Sequence, residues 1–446
     1  MREITISEYG YIGWDNEPTD KDKFVGNRTL TEDEFIELEN FIKQDEKTYN
    51  IFTRVNPKCL KATSLVGIVQ TKTLSIEILP KIYNNITDCD AVKNDCRNIF
   101  TEMLKPLLDI NEVQISKADL SSIKNKNIYE MFISMFIEHL EKLIHRGLKS
   151  EYVSKEDNQF FLKGKLKFKE HIKQNYIHKE RFYVEFDEYL QDRVENRLLK
   201  STIQLLLKKT NDYENKRALR QQLFIFDEVQ LSTNYDIDIS KINTHRGMEY
   251  YEMPLKFAKV FLKDQSFSSL RGKDNVFALL FPMETVFEKY MEFVLNNSKD
   301  NLGIDTVLVN GGKNEYLLSN GDCQMARLQP DYLLEMKDGT EIVTDAKWKV
   351  LEAKENETKG CSTVNISSGD VYQIFSYLHF YKAKNIAYLF VPKTEDTQKV
   401  VLTYKTDNYS EDGVKIDLKI QILPIDLNDL INGEQKHKLN KGIFDE

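Results

Sequence analysis

The run LQPDYLLEMKDGTEIVTDAKWKV, residues 328–350, is the stretch on which the reading of this chain turns. Two strand-like segments flank Lys337-Asp338-Gly339, and a three-residue loop with glycine in the left-handed position is a favoured hairpin connection. With Met336 paired to Thr340 across that loop, counting outward sets Asp331 opposite Asp345. Successive strand side chains alternate between faces, so Asp345 and Lys347, two apart, point the same way. The spacing predicts two carboxylates and one ammonium within one small area.

Two carboxylates beside an open position suit Mg²⁺, or Mn²⁺ in its place, because a hard dication takes one or two carboxylates and fills its shell with waters and phosphate oxygens. Such a metal polarises a phosphate and acidifies a bound water, while Lys347 can orient that water or stabilise developing charge. The bland alternative is a surface hairpin whose charges are merely solvated. Upstream, Glu288 in METVFEKYMEFV sits where a preceding helix can add a third acidic group beside the metal, although an exposed helical glutamate is the commoner feature. Downstream, Gln373 and Tyr377 in DVYQIFSYLHFY are four apart and share a helix face, from which the glutamine can reach a phosphate or a metal-bound water, or cap a surface.

Working outward, residues 281–446 alternate helix (PMETVFEKYMEFVLNN), strands and helix, as expected of a mixed sheet flanked by helices. Residues 1–115 read as β-rich. In SLVGIVQTKTLSIEILPKI, residues 64–82, apolar positions alternate on either side of a polar turn. Residues 116–280 are mainly helical: IYEMFISMFIEHLEKLIHRG runs at helical spacing to Gly147, and further helical patterns fall near 188–209, 214–230 and 247–264. A basic hairpin-like stretch, FFLKGKLKFKEHIKQNYIHKERFYVEFDEY over 160–189, interrupts them, with its basic patch from Lys163 to Arg181. The expectation is an α+β multidomain protein with boundaries near 115 and 280, as befits 446 residues.

Hydrophobic residues make up 41% and aromatics 11%, enough for packed cores. No stretch has the length of apolar sequence needed to cross a membrane, and no leader pattern opens the chain, so a cytoplasmic protein is expected. Five scattered cysteines without CxxC spacing argue against a zinc site and a disulfide framework. The net charge of −9 gives little steering toward DNA, so local patches or a partner must supply it. There is no G-x-x-x-x-G-K-[ST] loop, hence no phosphate cradle for a nucleotide.

Pro330-Asp331, Asp345-Ala346-Lys347 and Gln373 to Tyr377 together resemble the PD-(D/E)xK nuclease superfamily with its QxxxY extension; Asp345 takes the (D/E) position. The wider chain resembles the McrC family, the endonuclease subunit of McrBC-type (LlaJI-like) GTP-dependent restriction systems. The resemblance rests on Glu77-Ile78-Leu79-Pro80-Lys81-Ile82, Gly164-Lys165-Leu166, Glu195-Asn196-Arg197-Leu198-Leu199, Phe287-Glu288 and Asp345-Ala346-Lys347-Trp348-Lys349. It implies a restriction-endonuclease-like C-terminal core that cuts double-stranded DNA, with Asp331, Asp345 and Glu288 on the metal and Lys347, Gln373 and Tyr377 beside it. It also implies docking, placed in residues 1–115, on a McrB-like AAA+ GTPase ring whose hydrolysis the chain stimulates, so that GTP enters only through the partner. Two other readings compete. One is a non-catalytic GTPase-activating adaptor, which the intact acidic pair and lysine argue against. The other is a stand-alone repair nuclease, which the acidic balance disfavours.

Overall fold

In the computed structural model the described residues are 2–14, 28–43, 51–82, 90–107, 127–242, 247–262, 277–311, 315–320, 323–349, 353–356, 361–364, 367–381, 386–393, 400–404, 418–433 and 436–444. The chain forms a mixed α/β structure in two units. One joins Met1–Gln114 to Ser266–Glu446, and the other is Ile115–Gln265. Segments 1–115 and 281–446, expected as separate domains, thus fall in the same unit. The cause is the strand Phe277–Pro282, which pairs antiparallel with Leu65–Gln70 and so belongs to the N-terminal sheet. FALLFP is a short apolar run with no period to declare it a strand.

That sheet runs in the order Arg2–Ser7, Leu74–Leu79, Leu65–Gln70, Phe277–Pro282. The hairpin expected over 64–82 forms, with Gly67 opposite Ile78 and Gln70 opposite Ser75. Gly67 has φ +143°, and a Cβ there would lie 2.0 Å from the Leu279 carbonyl oxygen, so only glycine lets the incoming strand close. The helix Glu32–Lys43 presents Phe35, Leu38, Phe41 and Ile42 at helical spacing to a core shared with Ile4, Ile76 and Leu280.

The six-stranded sheet of the same unit runs Ile304–Val309, Tyr332–Met336, Glu341–Ala346, Ile386–Pro392, Leu418–Ile425, Val400–Tyr404. Its three middle neighbours from Glu341 onward are parallel, and the outer pairs are antiparallel. On one face the helix Ser368–Phe380 lays Ile374, Tyr377 and Leu378 on Leu333, Val343, Leu389 and Ile422. The helix Met283–Asn297 buries the stripe Val286, Phe287, Tyr290, Met291, Val294 and Leu295, and its Glu288 carbonyl accepts a hydrogen bond from the Tyr332 hydroxyl.

The second unit packs the helices Ile128–Arg146, Val194–Lys209, Tyr213–Ile225 and Glu249–Leu262 on one another. Gly147 ends the first, at φ +86°, as its sequence suggests. Buried Glu130 is held by donors: Thr210 Oγ1 at 2.6 Å, Asn215 Nδ2 at 2.7 Å and the Asn211 amide at 2.8 Å. The ENRLL string is a structural joint. Asn196 Nδ2 donates to the Lys149 and Gln191 carbonyls, and its Oδ1 accepts from Tyr251 Oη at 2.8 Å.

The basic stretch meets the hairpin expectation only in part, in the antiparallel pairing of Lys165–Leu166 with Glu185 and Val184. Residues 163–181 hold only the two-residue strand Lys165–Leu166 and the helix Phe168–Asn175, and the long hairpin partner of Phe182–Leu190 is Glu151–Gln159. Alternating lysines mimic period two, while Phe168, Ile172 and Tyr176 keep the i, i+4 spacing of a helix. The helical pattern near 188–209 likewise begins late, at Val194, because the strand runs through Leu190.

Candidate active site

The loop Lys337-Asp338-Gly339 closes as counted. The Met336 amide donates to the Thr340 carbonyl at 2.8 Å, Gly339 adopts φ +83°, and the Asp338 carboxylate accepts from the Thr340 amide at 2.9 Å. The register pairs Tyr332 with Thr344 and Glu335 with Glu341, so the next step outward sets Asp331 opposite Asp345. Asp331 Oδ2 accepts from the Ala346 amide at 2.8 Å, which ties the first carboxylate to the residue after the second. Asp345 lies two residues past Val343 and therefore on the sheet face covered by the helix Ser368–Phe380. The ladder continues past the strand end, where the Lys347 amide donates to the Phe390 carbonyl.

Lys347 returns toward Asp345, its ammonium 2.8 Å from Oδ2. That is an ion pair by distance, yet neither Asp345 oxygen has a hydrogen bond of acceptable direction, and the residue is only 1% exposed. Such a carboxylate is costly to bury and calls for a compensating positive charge. Burial and then the Asp345 charge push the Asp331 carboxyl up to about 8, against the pull of Lys347 and the Ala346 amide. Burial works against the Lys347 ammonium, but Asp345 and Asp331 outweigh it and hold its pKa above the ordinary lysine range.

Glu288 is half-buried on its helix, and burial raises its carboxyl, with Lys347 opposing and Asp345 adding to the rise. It shares the electrostatics of the site. Among the described residues, however, no three His, Cys, Asp or Glu side chains gather closely enough to hold one ion, so Glu288 does not close a three-carboxylate cluster here. Gln373 and Tyr377 meet as their spacing suggests. The Gln373 amide donates to Tyr377 Oη at 2.7 Å, and that hydroxyl donates to the Gln329 carbonyl at 2.8 Å, two residues before Asp331. Their visible contact is thus with the backbone that carries Asp331.

Sequence reasoning missed two supports. Lys349 Nζ lies 2.5 Å from the Asp370 carboxylate, which holds that carboxyl below its usual range even though burial pushes the other way. The Trp348 indole N–H donates to Glu8 Oε1 at 2.8 Å, across 340 residues of sequence. A buried indole N–H announces that an acceptor exists but not which one.

The donor set fits a divalent cation. Two acidic groups sit across one hairpin, one with both buried oxygens lacking hydrogen bonds and the other with its proton affinity raised by the first, which is the imbalance a hard dication relieves.

Residues 60–392 match the family described as McrBC 5-methylcytosine restriction system component. No curated protein matches the chain. Among solved structures, the chain is similar to a refined half-complex from a tetradecameric assembly of Thermococcus gammatolerans McrB AAA+ hexamers with bound McrC. Identity is 20%, 95% of each chain is covered, and the TM-score is 0.66, a likeness of fold. The Thermococcus gammatolerans McrBC complex aligns at 22% identity over 66% of this chain and 87% of that one, with a TM-score of 0.47.

Proposed function

The chain belongs to the family of McrBC 5-methylcytosine restriction system components, and from that premise we propose that it is the metal-dependent DNA endonuclease subunit of a GTP-dependent restriction complex. In this reading its C-terminal sheet is a PD-(D/E)xK core. The observation that carries it is the pairing of Asp331 with Asp345 across the hairpin, with the Lys347 ammonium against Asp345. Asp331 and Asp345 would hold Mg²⁺ or Mn²⁺, with Glu288 beside them. When bound, the dication supplies Lewis acidity toward the scissile phosphate and lowers the pKa of a water. Lys347, whose ammonium lies against Asp345, would serve as a positive charge that orients the attacking water and stabilises negative charge building on the phosphate. Tyr377, fixed by Gln373, holds the Gln329 carbonyl and with it the approach of Asp331.

The partner is proposed to be a McrB-like AAA+ GTPase ring. The likeness to a structure in which McrC is bound to McrB hexamers supports this, as does the absence of a phosphate-binding loop in the sequence. Among the described residues no helix is long and apolar enough to cross a membrane. The test is cleavage of duplex DNA by the chain with its partner and GTP, with Mg²⁺ or Mn²⁺ and then with excess EDTA. Cleavage is expected with metal and absent with chelator; undiminished cleavage in EDTA would rule the mechanism out.

A further inference from the structure

Glu8 is a buried carboxyl that the proposed chemistry does not use. It is 1% exposed and follows the strand Arg2–Ser7. A tight turn sets it in place: the Gly10 amide donates to the Ser7 carbonyl, and Tyr9 adopts φ +60°, a strained conformation for a bulky side chain. Such strain persists where the surroundings impose it and marks sites worth a functional question. What the turn achieves is to aim Glu8 inward, where Oε1 accepts from the Lys81 amide at 2.7 Å and from Trp348 Nε1 at 2.8 Å. Oε2 is buried without a hydrogen bond. Burial lifts the carboxyl to about 7, with Lys81 lowering it and Glu284 adding slightly to the rise. A group so costly to bury is retained for what it holds.

What it holds is the residue next to Lys347. The Trp348 ring is buried and packs on Phe287 with centroids 5.4 Å apart, one residue from Glu288. After Ala346 the chain leaves the strand, and its backbone is held by the Lys347 amide on the Phe390 carbonyl and by the Lys349 amide on the Lys347 carbonyl. Side chains anchor the segment 347–349 to its surroundings: Trp348 between Glu8 and Phe287, and Lys349 on Asp370. We propose that Glu8 is a positioning residue for Lys347, gripping the Trp348 indole so that the segment after the strand runs in the one path that sets the ammonium beside Asp345. The inference rests on the nuclease reading for its effect on rate, and on geometry alone for its effect on Lys347.

Three full-length variants test it with the partner present: Glu8→Ala removes the acceptor, Trp348→Phe keeps the ring against Phe287 without the N–H, and Glu8→Gln keeps an acceptor oxygen for both donors. Two quantities are read. One is the kcat and KM for metal-dependent DNA cleavage. The other is the rate at which Lys347 is acylated by an amine-reactive ester, followed by mass spectrometry without DNA or metal. Glu8→Ala and Trp348→Phe should each lower kcat by about tenfold or more with KM nearly unchanged, as a misplaced catalytic group does. Their double variant should be no worse than either, since both cut one link. Both should raise Lys347 acylation severalfold, because an ammonium released from Asp345 loses its proton more readily. Glu8→Gln should restore kcat and the slow acylation. Wild-type acylation and kcat in Trp348→Phe and Glu8→Ala would overturn the proposal. Faster acylation in a protein that, even unsubstituted, never cleaves DNA would retire the nuclease reading and leave the positioning of Lys347 standing.

Discussion

At the scale of single residues, the site is built from charges buried at a cost. A surface hairpin with merely solvated charges would leave the Asp345 carboxylate in water. It is instead buried beneath Lys347 with no hydrogen bond to either oxygen. Replacing it by Asn should then abolish cleavage, by about a thousandfold or more on the scale of lost charge stabilisation, and should also raise the thermal midpoint by a few degrees, because a carboxylate buried without a hydrogen bond is gone. A lowered midpoint in differential scanning calorimetry would mean that the ion pair to Lys347 stabilises the fold more than the burial costs. Glu8 gives the pH counterpart. Its folded carboxyl is raised from the ordinary 4.5 to about 7, so the folded state holds a proton that the unfolded chain releases. The stability this contributes is complete below about 4.5 and is lost as pH rises through about 7. Melting curves of the metal-free protein should therefore fall between about pH 5 and pH 8, and Glu8→Gln should flatten that slope; an unchanged slope would assign the pH dependence to other groups.

At the scale of elements, the hairpin and the helix Ser368–Phe380 divide the labour, the one pairing the carboxylates and the other bracing the chain that leads to them. Tyr377→Phe removes the donor to the Gln329 carbonyl and should cost about 0.5–1.5 kcal/mol of stability, the usual net worth of one hydrogen bond whose acceptor water can reach. Cleavage should fall about tenfold or more through loosened placement of Asp331, while stimulation of the partner's GTPase stays intact; full cleavage activity in this variant would reduce the tyrosine to packing. These two elements were legible in the sequence because their causes are local. A glycine in the left-handed position fixed the loop, the loop fixed the register, and the register paired Asp331 with Asp345. The helix Met283–Asn297 was read to within one residue, since Pro282 and a strict apolar stripe mark it. Elements whose causes are distant escaped. The strand Phe277–Pro282 is defined by its pairing with Leu65–Gln70, some two hundred residues earlier, and Glu8 by a tryptophan farther still. The basic stretch was misread for another reason: lysines at every second position imitate a strand, and the apolar residues at i, i+4 that announce the helix Phe168–Asn175 are exposed, not core-facing.

At the scale of the whole molecule, the proposed cleavage of DNA by a chain of net charge −9 would need help to reach its substrate, so a surface for the proposed partner matters as much as the active site. The lysines of 163–181 are weaker candidates for phosphate contacts than their number suggests. Lys167 is held between Glu156 and Glu185, Lys163 lies over the Phe186 ring at 4.1 Å, and Arg181 lies over Phe160 at 4.6 Å. What the same region does expose is apolar: Phe161 is 60% exposed, Tyr176 80% and Ile177 82%. These side chains belong to one neighbourhood, because Asn158 and Asn175 exchange hydrogen bonds at 2.8 Å and Arg181 folds back on Phe160. Large apolar groups left in water at this density are the kind of surface on which the proposed partner would dock. Their exposure makes residues 160–177 a second docking candidate beside residues 1–115. Substituting Phe161, Tyr176 and Ile177 together by Ser should leave the thermal midpoint nearly unchanged, since exposed positions contribute within about 0.5 kcal/mol each. The same protein should lose most of its stimulation of the AAA+ partner's GTPase and most of its co-purification with that partner. Undiminished stimulation by the triple variant, together with loss of stimulation when exposed residues of 1–115 such as Ile36 and Val55 are substituted, would return docking to the N-terminal sheets.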